Sequence, residues 1–295
     1  MKGFVTIATG RDRYYILAYN LLLSYRLHSK SAGPFCILCD RQNIWTAEFD
    51  DVIIIDSPAN DYVDKLRILD LSPYDETIFI DADCLVYRNL TPLWDMFKEG
   101  PDVGVLGSTY PLNSDKGWWD VKDLGDLKEK VDYKMTCQGG MYYVRKNGLL
   151  LPSFRKTCLY IQEHYFEYHF RMCGNRLEDE NILCLASCVH HCLPVNDFVN
   201  IFAYYPYVRL LDQDILSGTV IFDLPEDPDK RFKDSFMIHF GTAIALNRWL
   251  YKKEVFKLKN GRICLRNFGP FCVLWLSHAG KKIIMTIKTC LNTKD

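Results

Sequence analysis

Apolar residues along this chain alternate between short unbroken runs and stretches in which they recur every three or four positions. Gly3 to Ala8 is a strand-like run, after which Tyr14, Leu17, Ala18, Leu21, Leu22 and Tyr25 fall on one face of a helix. Further strands are predicted at Phe35 to Cys39, Val52 to Ile55 and Thr77 to Ile80, with a helix over Val63 to Leu71. Thr91 and Pro92 supply an N-cap and a first-turn proline for a helix over Leu93 to Phe97. Val103 to Leu106 and Met141 to Val144 complete the predicted strands. Phe154, Cys158, Ile161, Tyr165 and Tyr168 mark another helix, and Asp179 to Ala186 a shorter one. This order predicts an α/β fold, a mainly parallel twisted sheet with helices on both faces, and ligands at the carboxyl ends of its strands. Residues 107–136 are polar and rich in turn formers, as an active-site lid would be. Trp118 and Trp119 inside that segment either stack on a sugar ring or anchor the loop, and anchoring is the expectation.

Composition narrows the classes. The 295 residues are 48% hydrophobic and 25% charged with a net charge of -1, which excludes disorder and argues against general nucleic-acid binding. Apolar stretches such as Phe271 to Leu276 fall far short of the roughly 20 residues of a membrane span. The opening Met1 to Ile7 lacks the apolar core and cleavage site of a secretory signal, so a cytoplasmic protein is expected. The 12 cysteines are scattered through apolar segments and read as reduced, buried thiols. Cys36 and Cys39 have redox-motif spacing but lie within a strand. Cys184, Cys188 and Cys192, beside His190 and His191, would share a helix face as metal ligands or as a core stripe, and the stripe is the simpler reading. Charge is uneven: residues 252–295 carry a net +8 and the body -9. The basic residues interleave with Phe256, Leu258, Ile263, Leu265, Phe268, Phe271, Trp275 and Ile283, a mixture suited either to an anionic membrane surface or to a solvated extension.

Thr77-Ile-Phe-Ile-Asp81-Ala82-Asp83 carries the most chemistry, because a strand feeds directly into two carboxylates. Side chains at i and i+2 point to one side, so Asp81 and Asp83 can face one divalent cation while Ala82 lets a ligand approach the backbone. Haloacid-dehalogenase-type phosphatases and nucleotide-sugar glycosyltransferases both use such a pair. The phosphatase pattern fits less well: Leu85 stands where a hydroxyl or small branched residue is usual, and eighty residues precede the motif.

From here the sequence resembles the family 8 glycosyltransferases of the glycogenin and bacterial lipooligosaccharide galactosyltransferase type, in motif order over roughly residues 3 to 250. Phe4-Val-Thr-Ile-Ala8-Thr9 with Tyr14 resembles the first strand and nucleotide loop. Lys65 matches a lysine near the donor sugar, and Gln138-Gly139-Gly140-Met141 the Asn-Ser-Gly strand entry. Glu178-Asp179-Glu180-Asn181-Ile182-Leu183 resembles Asp-Gln-x-x-Leu, and Met237-Ile-His239-Phe240-Gly241 the late histidine segment. The resemblance implies a GT-A-type domain over 1–251 followed by a basic, aromatic extension over 252–295, and a metal-dependent retaining transfer of a hexose from a UDP-sugar to a glycan, glycolipid or protein acceptor. It implies Asp81, Asp83 and His239 as ligands of Mn²⁺, with Mg²⁺ the alternative. It also implies Asp179, Gln138 and Lys65 in catalysis, and Ala8, Thr9, Tyr14, Lys65, Asp81, Ala82, Asp83, Gly139, Gly140, Glu180 and Gly241 around the donor. The expected location is cytoplasmic, with peripheral attachment to the inner face of a membrane as one of the two readings of the basic tail, and no nucleic-acid partner is expected. A non-catalytic nucleotide-sugar-binding protein is a further alternative. The segment Gly241 to Trp249 departs from the usual Gly-x-x-Lys-Pro-Trp and lacks its diphosphate-binding lysine, for which Arg248, Lys252 or Lys253 could substitute. Gln138 and Glu180 stand where Asn or Ser and Gln are usual, which leaves the donor sugar open.

Overall fold

A computed structural model of the chain describes residues 1–171, 176–196, 198–241, 245–246, 248–262, 267 and 269–279. Cys173, Asn247, Ile263, Cys264, Leu265, Phe268, Ile283, Cys290 and the rest of 280–295 lie outside the described residues.

The chain opens with β1 (Lys2–Ala8), α1 (Asp12–His28), β2 (Phe35–Cys39) and β3 (Asp51–Ile54), and a 3-10 turn over Tyr62–Arg67 leads into the short α2 (Ile68–Leu71). Next come β4 (Glu76–Ile80), β5 (Cys84–Val86), α3 (Leu93–Phe97), β6 (Val103–Tyr110) and β7 (Lys134–Arg145). The remainder is α4 (Leu151–Glu163), α5 (Asp179–Val189), α6 (Phe198–Ile201), β8 (Phe202–Tyr204), β9 (Arg209–Asp214), β10 (Thr219–Leu224), β11 (Asp227–Lys233), β12 (Met237–His239) and α7 (Trp249–Asn260).

Six strands form the main sheet in the order β3-β2-β1-β4-β7-β6. β3, β2, β1 and β4 are mutually parallel, while β7 runs antiparallel to both neighbours. The expected Met141 to Val144 strand is thus the end of a much longer strand of reversed direction. Alternation sorts the core: Phe4 and Ile37 face one apolar cluster with Leu17 and Leu21 of α1, while Val5 and Leu38 face a second with Phe154 of α4 and Ile182 of α5. Both faces are covered, which is why β1 and β2 read as continuous apolar runs.

Several expectations shift in detail. The Val63 to Leu71 helix is mostly a 3-10 turn, and Pro92, not Thr91, occupies the N-cap position of α3; the Thr91 hydroxyl instead donates to Asn89 Oδ1 at 2.8 Å. The polar segment is shorter than 107–136, because β6 continues to Tyr110 and β7 begins at Lys134. Trp119 within it is fully buried and meets Phe170 edge-on at 6.3 Å, so this indole anchors the loop. Cys36 and Cys39 lie buried in β2, and burial pushes the Cys39 thiol up to about 11, which keeps it protonated and inert. Cys184 and Cys188 are core residues of α5, whereas Cys192 lies beyond its end; His190 turns to Thr157 and His191 to Asp132, so the five residues form no metal site.

A small sheet, β5-β12-β8, brings the late chain back onto the early one: His239 pairs with Cys84 on one side and Tyr204 on the other. The antiparallel β9-β10-β11 unit, unforeseen in the apolar pattern, packs Val220 and Phe222 into the same cluster as α1 and leaves β11 exposed. α7 runs unbroken through residues 251 and 252 and buries Tyr251 and Glu254; the Tyr251 hydroxyl accepts from Asn20 of α1 at 3.1 Å. Among the described residues no helix is long and apolar enough to cross a membrane.

Candidate active site

The carboxyl ends of β1 and β4, the Asn60–Lys65 turn, the start of α5 and the end of β12 surround a cleft of about 280 Å³. Each contributes a side chain for a local reason. β4 ends at Ile80, and the Cys84 N–H donates to the Asp81 carbonyl at 3.0 Å, a turn that places Asp81 and Asp83 at the edge just before β5. Pairing of β12 with β5 then sets His239 beside them. β7 passes behind, and its glycines make room: a Cβ on Gly139 would lie 2.8 Å from Asp179 Oδ2, and one on Gly140 would lie 2.6 Å from His239 Nδ1.

The charges interlock. His239 Nε2 is 3.0 Å from Asp83 Oδ1 and 3.9 Å from Asp81 Oδ2. Lys65 Nζ donates to Asp81 Oδ2 at 2.8 Å and sits 3.6 Å from Asp179 Oδ2. Burial opposes the charge on Lys65, but Asp179 and Asp81 more than offset it and hold the ammonium well above its ordinary pKa. Burial likewise opposes ionisation of both Asp83 and His239, yet their mutual attraction wins: Asp83 is held below and His239 above its usual value. Asp179 goes the other way, pushed up to about 6 by burial despite Lys65. Glu178 and Glu180 are each pushed up to about 7, by burial first and then by Asp179. Glu180 Oε1 accepts from the Gly139 N–H at 2.6 Å.

This donor set fits a divalent ion. Asp83 Oδ1 is buried without a properly angled hydrogen bond although an imidazole nitrogen lies 3.0 Å away, the geometry of two atoms converging on a third. Carboxylate oxygens and an imidazole suit Mn²⁺ or Mg²⁺. Among the described residues, the three candidate ligand atoms that lie within 4.8 Å of one another belong to Asp83, Cys84 and His239 rather than to the expected trio with Asp81. Cys84, however, is fully buried, and burial pushes its thiol well up, so it offers a protonated sulfur that a hard cation disfavours. Asp81, shared with Lys65, is the next oxygen outward.

No family model matches the chain, and no curated protein does. Among solved structures, the galactosyltransferase LgtC in complex with donor and acceptor sugar analogs matches at a TM-score of 0.51 and 16% identity, over 90% of this chain and 99% of that one. An active-site mutant of LgtC matches at a TM-score of 0.52 and 14% identity with the same coverage. The fold is that of the GT-A glycosyltransferases.

Within this GT-A fold, the cleft brings together Ala8, Thr9, Tyr14, Lys65, Asp81, Ala82, Asp83, Asp179, Glu180, His239 and Gly241 from the expected set. Gln138, Gly139 and Gly140 do not line it; the two glycines instead let α5 and His239 approach β7 closely. Nor do Arg248, Lys252 or Lys253: the Arg248 guanidinium stacks on Tyr205 at 4.5 Å, and the lysines belong to α7. Arg176 does line the cleft, as do Asn60, Asp61, Tyr62, Asp64 and Tyr204, none of which the sequence singled out. The Tyr204 ring lies 4.9 Å from that of His239. An aromatic cluster at 202–207 was visible as a signal for Tyr204, whereas the acids of the 60s loop resemble ordinary turn residues.

Proposed function

We propose that this chain is a metal-dependent retaining glycosyltransferase that moves a hexose from a UDP-sugar to a glycan, glycolipid or protein acceptor. The observation that carries this reading is the convergence of Asp81, Asp83 and His239 beside Lys65 and Asp179 in one cleft at the carboxyl edge of the sheet. Asp81, Asp83 and His239 would hold Mn²⁺ or Mg²⁺, which when bound supplies a Lewis acid that offsets charge on the departing diphosphate. The chain's own residues do the rest. Lys65 stays charged and fixes the orientation of Asp81 and Asp179. Asp179, with a pKa of about 6, is mostly ionised at neutral pH and presents negative charge to a sugar ring that becomes cationic as its glycosidic bond breaks. Retention of configuration rests on the family 8 resemblance. UDP release, measured over a panel of UDP-sugars with and without Mn²⁺, tests the reading. Metal-dependent release that Asp83→Asn and His239→Ala each reduce by at least about a hundredfold is expected. Turnover of a generic phosphoester without UDP-sugar binding would overturn it.

The basic tail is proposed to meet an anionic membrane surface. In the described part of it, Val273, Trp275 and Leu276 are exposed. Truncation after Arg262 leaves α7 whole; loss of binding to phosphatidylserine vesicles is expected, and unchanged binding would remove the idea.

A further inference from the structure

A second opening, of about 760 Å³ and so within the size range of ligand clefts, lies between residues 87–92 and the place where β10 begins and β11 ends; it shares no lining residue with the cleft of Asp81 and Asp83. The two sit at opposite ends of the β5-β12 pair. His239 pairs with Cys84 at the first, while at the second the Phe236 carbonyl accepts from the Tyr87 and Arg88 N–H groups at 2.8 and 3.3 Å. Roughly 10 Å of paired strand separates them. The walls of this opening mix charges, an amide and apolar surface. Arg88 Nη1 is 2.5 Å from Asp234 Oδ1, which leaves Oδ2 open to accept. Asn89 Oδ1 accepts from the Thr91 N–H at 3.0 Å and the Thr91 hydroxyl at 2.8 Å, which leaves the two Nδ2 protons to donate elsewhere. Lys233 adds an exposed ammonium, and Pro92, Ile221 and Phe236 supply the apolar surface. Asp234 stands just beyond β11 in the left-handed region (φ 68°), where glycine would carry no strain; the chain keeps a carboxylate there instead.

We propose that this opening is a second carbohydrate site, which binds a neutral oligosaccharide away from the cleft and so holds the far part of a glycan acceptor. A ring hydroxyl donates and accepts at once, so neighbouring hydroxyls of one sugar satisfy Asp234 Oδ2 and Asn89 Nδ2 together, while the C–H face of the ring covers Phe236 and Ile221. Charged ligands fit less well. A phosphorylated or sulfated one would meet the Asp234 carboxylate, and a cationic one would meet Arg88 and Lys233. Carbohydrate binding here is independent of the proposed transfer; that the glycan is an acceptor rests on it.

The test is binding of the full chain to an array of neutral, sulfated and phosphorylated glycans, read for wild type, Asp83→Asn, Asp234→Gly and Ser217→Trp. Wild type should bind neutral glycans, and Asp83→Asn should bind the same ones, because that substitution lies in the other opening. Asp234→Gly should weaken them at least about tenfold, the effect of losing one hydrogen bond to a charged group. Glycine suits the backbone there and the ion pair lost is an exposed one, so Tm should stay within about 4 °C of wild type and UDP release without acceptor should be unchanged, which separates lost recognition from lost folding. Ser217→Trp, at the exposed rim, should fill the opening and weaken the same glycans. Should Asp234→Gly fail to fold, Ser217→Trp decides alone. No glycan bound by wild type, neutral glycans bound equally by the two rim variants, or binding confined to sulfated or phosphorylated glycans overturns the proposal and leaves the proposed transfer, tested by UDP release, untouched. Neutral glycans lost in Asp83→Asn would also overturn it, by placing them in the cleft.

Discussion

Lys65 and Glu180 show the two outcomes of burying a charge. Lys65 keeps its proton because two carboxylates surround it, whereas Glu180 tends toward the neutral form because its main polar partner is one backbone N–H. For Glu180 the folded pKa of about 7 lies above the ordinary 4.5. Its burial therefore carries no ionisation penalty below about pH 4.5, and stability falls as pH rises from there to about 7 and levels off above it. Glu180→Gln keeps the bond to Gly139 and removes the charge, so it should match wild type in Tm at pH 4.5 and exceed it at pH 8; equal Tm values at both would refute this. Lys65→Met should do the opposite, leaving Asp179 buried without a counter-ion at a cost of about 3–5 kcal/mol in urea unfolding. Adding Asp179→Asn should recover part of that loss. Asp81 and Asp83 were legible because an apolar strand delivers them to an edge where ligands bind. His239 was not distinctive in itself; only its place in an ordered series of motifs marked it. Asp64 left no trace, since its bond to the Thr9 hydroxyl depends on a turn that folds back onto the end of β1.

At the scale of elements, β7 is where sequence and structure part most. An apolar run states that a strand is buried but not which way it points, and β7 reverses between β4 and β6 with a register shift at Val105 and Leu106. The reversal puts Gly139 and Gly140 directly behind the cleft. Gly140→Ala should drive His239 off its position, because the added methyl would sit 2.6 Å from Nδ1. Circular dichroism is expected to be unchanged, with Mn²⁺ affinity and UDP release each down at least about tenfold. Unaltered metal affinity would show that the imidazole has room to move. The helices α1 and α4 were readable from periodicity because each buries one stripe, Leu17, Leu21 and Tyr25 in the first and Phe154, Cys158 and Ile161 in the second.

For the whole molecule, the layered architecture and the position of the cleft followed from the order of elements, since crossover connections leave few other ways to cover both faces of a parallel sheet. The β9-β10-β11 unit did not, because β11 is exposed along nearly its whole length and carries no apolar repeat. The β5-β12-β8 sheet was equally hidden, being three-residue strands joined across most of the chain. That long-range pairing separates the birth of the two aspartates from the arrival of their histidine. The acidic pair must wait for a strand encoded about 150 residues later, and contacts of such long sequence separation form late. With the proposed metal site, ion capture would be a timer for the last docking event, and a dilution experiment that follows manganese uptake beside tyrosine fluorescence should find the metal signal lagging.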